Sequence, residues 1–290
     1  MPTAVVHPVD VLSLTGAIEA GRRGLIEPML VGPRRRVEAA AKAAGLDLTG
    51  LQLIDVEHSH QAAARACEMA AKGQAAAIMK GALHTDELLE AVVASQSGLR
   101  TDRRMSHVFV LDVPSYPRPL LVSDAALNIA PDLATKRDIV QNAIDLAHAM
   151  DITEPKVAIL SAIETVNPKM ASTVDAAALC KMADRGQIVG GLLDGPLAFD
   201  NAISVEAARA KGIGSAVAGQ ADILIVPDIE AGNMLAKQLF YLSNAQSAGI
   251  VMGARVPIIL TSRSDPEASR LASCALAILV SQHKPSKYVR

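Results

Sequence analysis

Arg255-Val-Pro-Ile-Ile-Leu-Thr-Ser-Arg-Ser-Asp265, with Pro266-Glu267 behind it, joins a strand to a helix. Residues 256–260 are a short apolar run with β-branched members, bounded by polar residues, the pattern of a buried strand. Thr261, Ser262 and Arg263 come straight off its end. Asp265-Pro266-Glu267 reads as the first turn of a helix, with Asp as N-cap and Pro at the first helical position, where it forfeits no hydrogen bond. Hydroxyls, a guanidinium and free helix N–H groups thus converge where a strand meets a helix, which suits an anion. The same residues also make an ordinary capped turn with a solvated Arg, and this segment alone leaves both readings open.

Strand-then-helix alternation extends from this stretch through the chain. Strands are expected at 3–7, 27–31, 52–56 and 75–79, and helices at 11–23, 34–44, 60–72 and 85–94, the last with Thr85 as N-cap. These four βα units imply a parallel sheet with right-handed crossovers. Strands at 107–113 and 119–123 follow without a helix between them, and their link, Pro114-Ser-Tyr-Pro117, is turn-forming, so an antiparallel pair is expected. After a helix at 135–150, strands at 156–161, 188–193 and 222–226 alternate with helices at 170–184, 205–211 and 232–243. The fold class is α/β: two domains with mainly parallel sheets flanked by helices. Residues 1–130 with 258–290 are expected to form the first domain, and 131–257 the second.

Composition narrows the class further. Half the residues are apolar but only 2% are aromatic and Trp is absent, so Ala, Val, Leu and Ile must build the core, as suits helices packed closely on a parallel sheet. A net charge of -2 provides no basic field for nucleic acid. Cys67, Cys180 and Cys274 have no metal-ligand spacing and read as reduced, buried thiols. No basic segment precedes an apolar one at the N-terminus, and no apolar run approaches about 18 residues, so neither a leader nor a membrane span is expected. Cytoplasmic placement follows.

Polar loops stand at the carboxyl ends of the expected strands, where open α/β sheets bind ligands. Several of them carry a resemblance: Lys80-Gly-Ala-Leu-His-Thr-Asp-Glu-Leu, Gly98-Leu-Arg-Thr-Asp-Arg-Arg-Met-Ser-His-Val-Phe-Val, Ser123-Asp-Ala-Ala-Leu-Asn-Ile-Ala-Pro, Val157-Ala-Ile-Leu-Ser-Ala-Ile-Glu-Thr-Val-Asn-Pro-Lys, Asp194-Gly-Pro-Leu-Ala-Phe-Asp-Asn-Ala-Ile and Ala221-Asp-Ile-Leu-Ile-Val-Pro-Asp-Ile-Glu-Ala-Gly-Asn. With the Thr-Ser-Arg motif, they make the chain resemble the phosphate acetyltransferase and phosphate butyryltransferase family, over roughly residues 75–280. The wording is similar to the transferase half of proteins that join an enoyl-CoA hydratase-like domain to it.

The resemblance implies two α/β domains with an active cleft between them, usually in a homodimer. It implies exchange of acyl-CoA plus phosphate for acyl phosphate plus CoA, with CoA and phosphate as substrates and no cofactor or metal. The residues suit that chemistry, which needs a phosphate site, a route to thiolate and donors for the carbonyl oxyanion. Arg263 can grip phosphate in a forked pair, and by resemblance Ser262 stabilises the tetrahedral state. Acetyltransferase members carry an Asp where this chain has Ser269, so Asp265 is the candidate base, with helix N-cap as its competing role. Many members also carry an Arg near Glu90.

Substrate and CoA contacts are expected from Lys80, Arg104, Asn128, Asp194, Asn233, Lys237 and Thr261. The other readings are turns for Asn128 and Asp194, a helix cap for Asn233 and a solvated basic loop for Arg100, Arg103 and Arg104. His84 and His107 read as structural. A regulatory module that binds acyl-CoA or acyl phosphate without turnover is the alternative function. A nicotinamide dehydrogenase is disfavoured, because Gly212-Ile-Gly214 follows a helix rather than a strand.

Overall fold

The structure is a computed structural model that describes residues 1–261 and 265–283. The chain runs β1 (Pro2–Val6), α1 (Val11–Arg22), β2 (Glu27–Gly32), α2 (Arg34–Ala44), β3 (Gln52–Asp55), α3 (Ser59–Ala71), β4 (Ala77–Lys80), α4 (Thr85–Val93), β5 (Ser106–Asp112), β6 (Leu120–Ser123) and α5 (Leu133–Ala149). It continues through β7 (Lys156–Leu160), α6 (Ala171–Asp184), β8 (Leu192–Leu197), α7 (Phe199–Ile203), α8 (Val205–Ala210), β9 (Ile223–Ile225), α9 (Ile229–Leu242), β10 (Gln246–Met252), β11 (Ile258–Ile259) and α10 (Glu267–Gln282). Among these, no helix is long and apolar enough to cross a membrane.

Two compact units result, Met1–Arg103 with Ala248–Gln282, and Arg104–Ser247 with His283. The sequence suggested divisions at 130/131 and 257/258. They fall earlier because β5 pairs antiparallel with β6, and β6 pairs parallel with β9, so the hairpin joins the second unit. At the other end β10 pairs with β11, and β11 lies parallel to β4, so both strands return to the first unit.

The first unit has strand order β3-β2-β1-β4-β11-β10, with β10 alone antiparallel to its neighbour. Capping starts and stops its helices where the sequence changes character. Asp10 accepts the Ser13 N–H at 2.7 Å to open α1, and Gly45, at φ 64°, closes α2. Thr85 is the first residue of α4 rather than its cap; His84 holds the cap position without a side-chain bond.

The second unit has order β5-β6-β9-β7-β8, with β6, β9, β7 and β8 parallel. The core around Leu111, Val122, Leu160, Leu197 and Leu224 is aliphatic, and the buried apolar residues described in the whole chain include no aromatic. Each buried Leu, Ile or Val contributes about 1.5–3 kcal/mol. Helix α5 is buried along most of its length and takes polar groups inside with it. Asp138 accepts the Arg104 N–H, and Asn142 donates to Arg104 O and Ser106 Oγ, both at 2.9 Å, which pins the start of β5.

Strand β8 starts four residues later than the apolar run at 188 suggests. The Gln141 side chain donates to Val189 O at 3.0 Å and accepts its N–H at 2.9 Å, so a side chain occupies the backbone groups a sheet ladder would use. Helix α9 starts at Ile229, earlier than 232, because Asp228 accepts the Ala231 N–H at 2.9 Å and caps it.

Asn142→Leu removes two donors' worth of bonding from a buried side chain. It should cost about 1–3 kcal/mol, read as a lower urea midpoint at unchanged slope.

Candidate active site

In the first unit β1, β4 and β11 lie side by side and parallel, in registers Val6↔Lys80 and Met79↔Ile259 that bring their carboxyl ends level. His7, Lys80-Gly81-Ala82 and Thr261 emerge there. Gly81 donates to Val6 O at 2.9 Å, and Ala82 donates to His7 O at 2.9 Å. A Cβ on Gly81 would stand 2.3 Å from Val6 O, so only glycine permits this approach. Lys80 is half-buried, its Nζ donating to Gly81 O at 3.5 Å, and Thr261 is buried. The structure therefore brings the predicted Lys80 and Thr261 to one sheet edge.

Ser262 and Arg263 lie outside the described residues. Asp265 is half-buried and stands one residue outside the cap of α10. Pro266 holds the cap position, its carbonyl accepting from Ser269 at 3.1 Å and Arg270 at 3.4 Å. Ser269 itself is buried in α10, and Glu90 is exposed on α4.

In the second unit the loop after β6 is organised by Asp124, a residue the sequence reading quoted within a motif but gave no role. Its Oδ1 accepts N–H groups from His107, Ala126 and Leu127 at 3.2, 3.0 and 3.1 Å. Its Oδ2 accepts the Asn128 N–H at 3.0 Å and the Asn128 side-chain amide. That amide also donates to Met105 O at 2.9 Å, so the Nδ2 of Asn128 serves the loop. The first turns of α9 close on the same loop. Gly232 approaches so nearly that an added Cβ would lie 2.6 Å from Asp124 O, and Asn233 Nδ2 donates to Ala125 O at 3.1 Å. Asn233 is thus inside the helix, not its cap. Lys237 is exposed one turn further on.

Asp194 and Gly195 are not a turn after a strand. They lie within β8, with the Gly195 N–H donated to Asp194 Oδ1 at 2.8 Å. Arg104 is exposed, and its main chain is what the structure fixes, between Asp138 and Asn142. Arg100 pairs in an isolated bridge with Ala254, and Arg103 is half-buried. His84 is exposed, whereas His107 is buried in β5 against Phe109, their ring centroids 4.4 Å apart.

The thiols are poor nucleophiles. Burial pushes Cys67 up to about 11 and Cys274 up to about 12. Cys180 is pushed up to about 12 by burial and then by the negative charges of Asp194 and Asp184. At neutral pH almost none of any of them is thiolate, the reactive form.

Two residues of these strand ends had faint signals in the sequence. Asp124 precedes three residues whose N–H groups it gathers, an Asx-type arrangement. His7 precedes a Pro and the N-cap of α1, where a strand must turn sharply. Asp124→Ala strips the acceptor from four backbone donors and should cost at least about 3 kcal/mol in urea unfolding. Lys80→Ala, at a half-exposed position, should stay within about 1 kcal/mol.

The model of the family described as phosphate acetyl/butaryl transferase matches residues 58–278. A phosphate acetyltransferase of Rhizobium meliloti is 59% identical over 287 residues, covering 99% of this chain and 91% of that protein. A phosphate butyryltransferase of Clostridium beijerinckii is 43% identical over 277 residues, 96% of this chain and 92% of that one. Among solved structures, a branched-chain phosphotransacylase from Enterococcus faecalis V583 superposes with TM-score 0.86 at 30% identity, covering 98% of this chain and 100% of that one. The chain is an acyltransferase and belongs to the phosphate acetyl/butyryl transferase family.

Proposed function

We propose that this phosphate acyltransferase exchanges acetyl-CoA plus phosphate for acetyl phosphate plus CoA by direct attack in a ternary complex, with butyryl the less favoured acyl group. What supports acetyl is the higher identity to a relative named phosphate acetyltransferase, 59% against 43% for the butyryltransferase. The high thiol pKa values favour direct attack, since an acyl-cysteine would need a thiolate.

Arg263 is assigned to phosphate and Ser262 to the tetrahedral oxyanion. In the sequence both follow Thr261, which stands at the sheet edge that carries Lys80. Lys80 adds a positive charge there for phosphate or CoA. Asp265 is assigned as the carboxylate of the same motif. Arg104, Asn128, Asp194, Asn233 and Lys237 are assigned to CoA, Asn128 and Asn233 through the loop they hold in place. The proposed reaction needs no metal or redox cofactor, and a homodimer is the proposed assembly.

The direct test is phosphate-dependent loss of acetyl-CoA and butyryl-CoA thioester by purified protein with a chelator present. Turnover of both, faster for acetyl, is expected; no phosphate-dependent loss would refute the assignment. Arg263→Ala should lower kcat/KM for phosphate by about 100-fold or more. Asp265→Asn should slow turnover at unchanged Tm, whereas a lower Tm at normal rate would return it to a structural role.

A further inference from the structure

The strand ends of the first unit hold one polar side chain that the reading above leaves unused. His7 follows β1 directly, is 5% exposed, and has a left-handed backbone, φ 55°. Four hydrogen bonds fix it, one of them from the Val9 N–H to its carbonyl at 2.9 Å. Its N–H donates to Val31 O at 2.7 Å, its carbonyl accepts from Ala82 at 2.9 Å, and its ring Nδ1 lies 2.9 Å from Ala82 O. A carbonyl oxygen only accepts, so Nδ1 carries the proton. In the neutral ring Nε2 is then a lone pair, and it is buried without a hydrogen-bond partner.

A buried unpaired acceptor and a left-handed non-glycine backbone both cost stability, and they coincide in one residue at the ligand-binding end of a sheet. Lys80 emerges one strand over, and the strand leading to Thr261 is two over, so about 10 Å of sheet separates the His7 main chain from that strand's end.

We infer that His7 Nε2 accepts the CoA thiol proton as sulfur attacks acyl phosphate, and returns it when the reaction runs the other way. This rests on the acyl-transfer reading above. As the S–H bond breaks, its proton goes to Nε2 and its electron pair forms the S–C bond. The carbonyl π pair moves to oxygen, then re-forms the double bond as the C–O bond to phosphate breaks. The departing phosphate oxygen takes the proton from His7, leaving acyl-CoA, hydrogen phosphate and a neutral imidazole.

The choice of imidazole over carboxylate is a matter of matching. A general base works best when its basicity lies close to that of the group it deprotonates, and imidazole as a class lies closer to a thiol than a carboxylate does. Cysteine offers no competing base, since burial keeps the Cys67 and Cys274 thiols of this unit protonated at neutral pH.

His7→Asn isolates the role. The Asn amide can replace Nδ1 as donor to Ala82 O, and Asn tolerates left-handed backbone, so only Nε2 is lost. With acetyl phosphate and CoA, kcat should fall about 100-fold or more while both KM values and Tm hold. Unchanged kcat in a folded variant overturns the assignment. If His7→Asn fails to fold, wild-type protein with 15N-labelled histidine decides: the Nε2 resonance should move on adding CoA and not on adding a CoA analogue that lacks sulfur. No movement, or equal movement with both, overturns it. An inactive wild type would sink the acyl-transfer reading as well, whereas an active wild type with unchanged His7→Asn sinks only the role of His7.

Discussion

Asp124 is 2% exposed, and a carboxylate at that depth is tolerable only when donors surround it. Four backbone N–H groups and the Asn128 amide do so. The bonding runs both ways. Three of those N–H groups, from Ala126, Leu127 and Asn128, leave the sheet at the end of β6 with no ladder to enter, and the carboxylate is the acceptor that lets them turn. Once the loop is fixed, Gly232 and Asn233 can close on it, which sets where α9 begins beside the carboxyl end of β9. Asn128 and Asn233, proposed for CoA, therefore depend on a group that need not touch CoA.

The first unit solves the same problem with shape instead of charge. Its strand ends turn because Gly81 lets the chain after β4 press against Val6 and His7. Side chains larger than hydrogen would part the strands that hold Lys80 and lead to Thr261. In both units small or short polar residues at strand ends free the edge for ligand groups, while an aliphatic core, unhindered by aromatic bulk, keeps the strands in register.

Most of the fold was legible because periodicity reports it. Helix α2 has the bounds its apolar spacing and Gly45 suggest, and the antiparallel β5–β6 pair follows from two strands with only a turn between them. What stayed hidden is set by partners distant in sequence. Nothing in 188–193 announces that Gln141, 48 residues earlier, will occupy the backbone of Val189 and delay β8. The hairpin at 106–123 does not say which unit it joins, which moved the division of the chain. At the site, Lys80 and Thr261 were visible as strand-end residues of a known motif. His7 was not, because an unpaired Nε2 is a property of burial and tautomer, which depend on Ala82 and Val31. Asp194 was misplaced for a local reason: Asp-Gly-Pro has turn composition, yet here it lies in a strand.

Direct transfer between phosphate and thiol, with no acyl group parked on the protein, is the chemical claim on which the assigned roles depend. Thiols held at about 11 and about 12, Cys67 and Cys274 buried and Cys180 half-buried, argue against cysteine as the carrier of that group. Exchange of labelled phosphate into acetyl phosphate with CoA rigorously absent reads the claim directly. Direct attack in a ternary complex gives no exchange until CoA is added. Exchange without CoA would mean that an acyl-enzyme forms, and would contradict it.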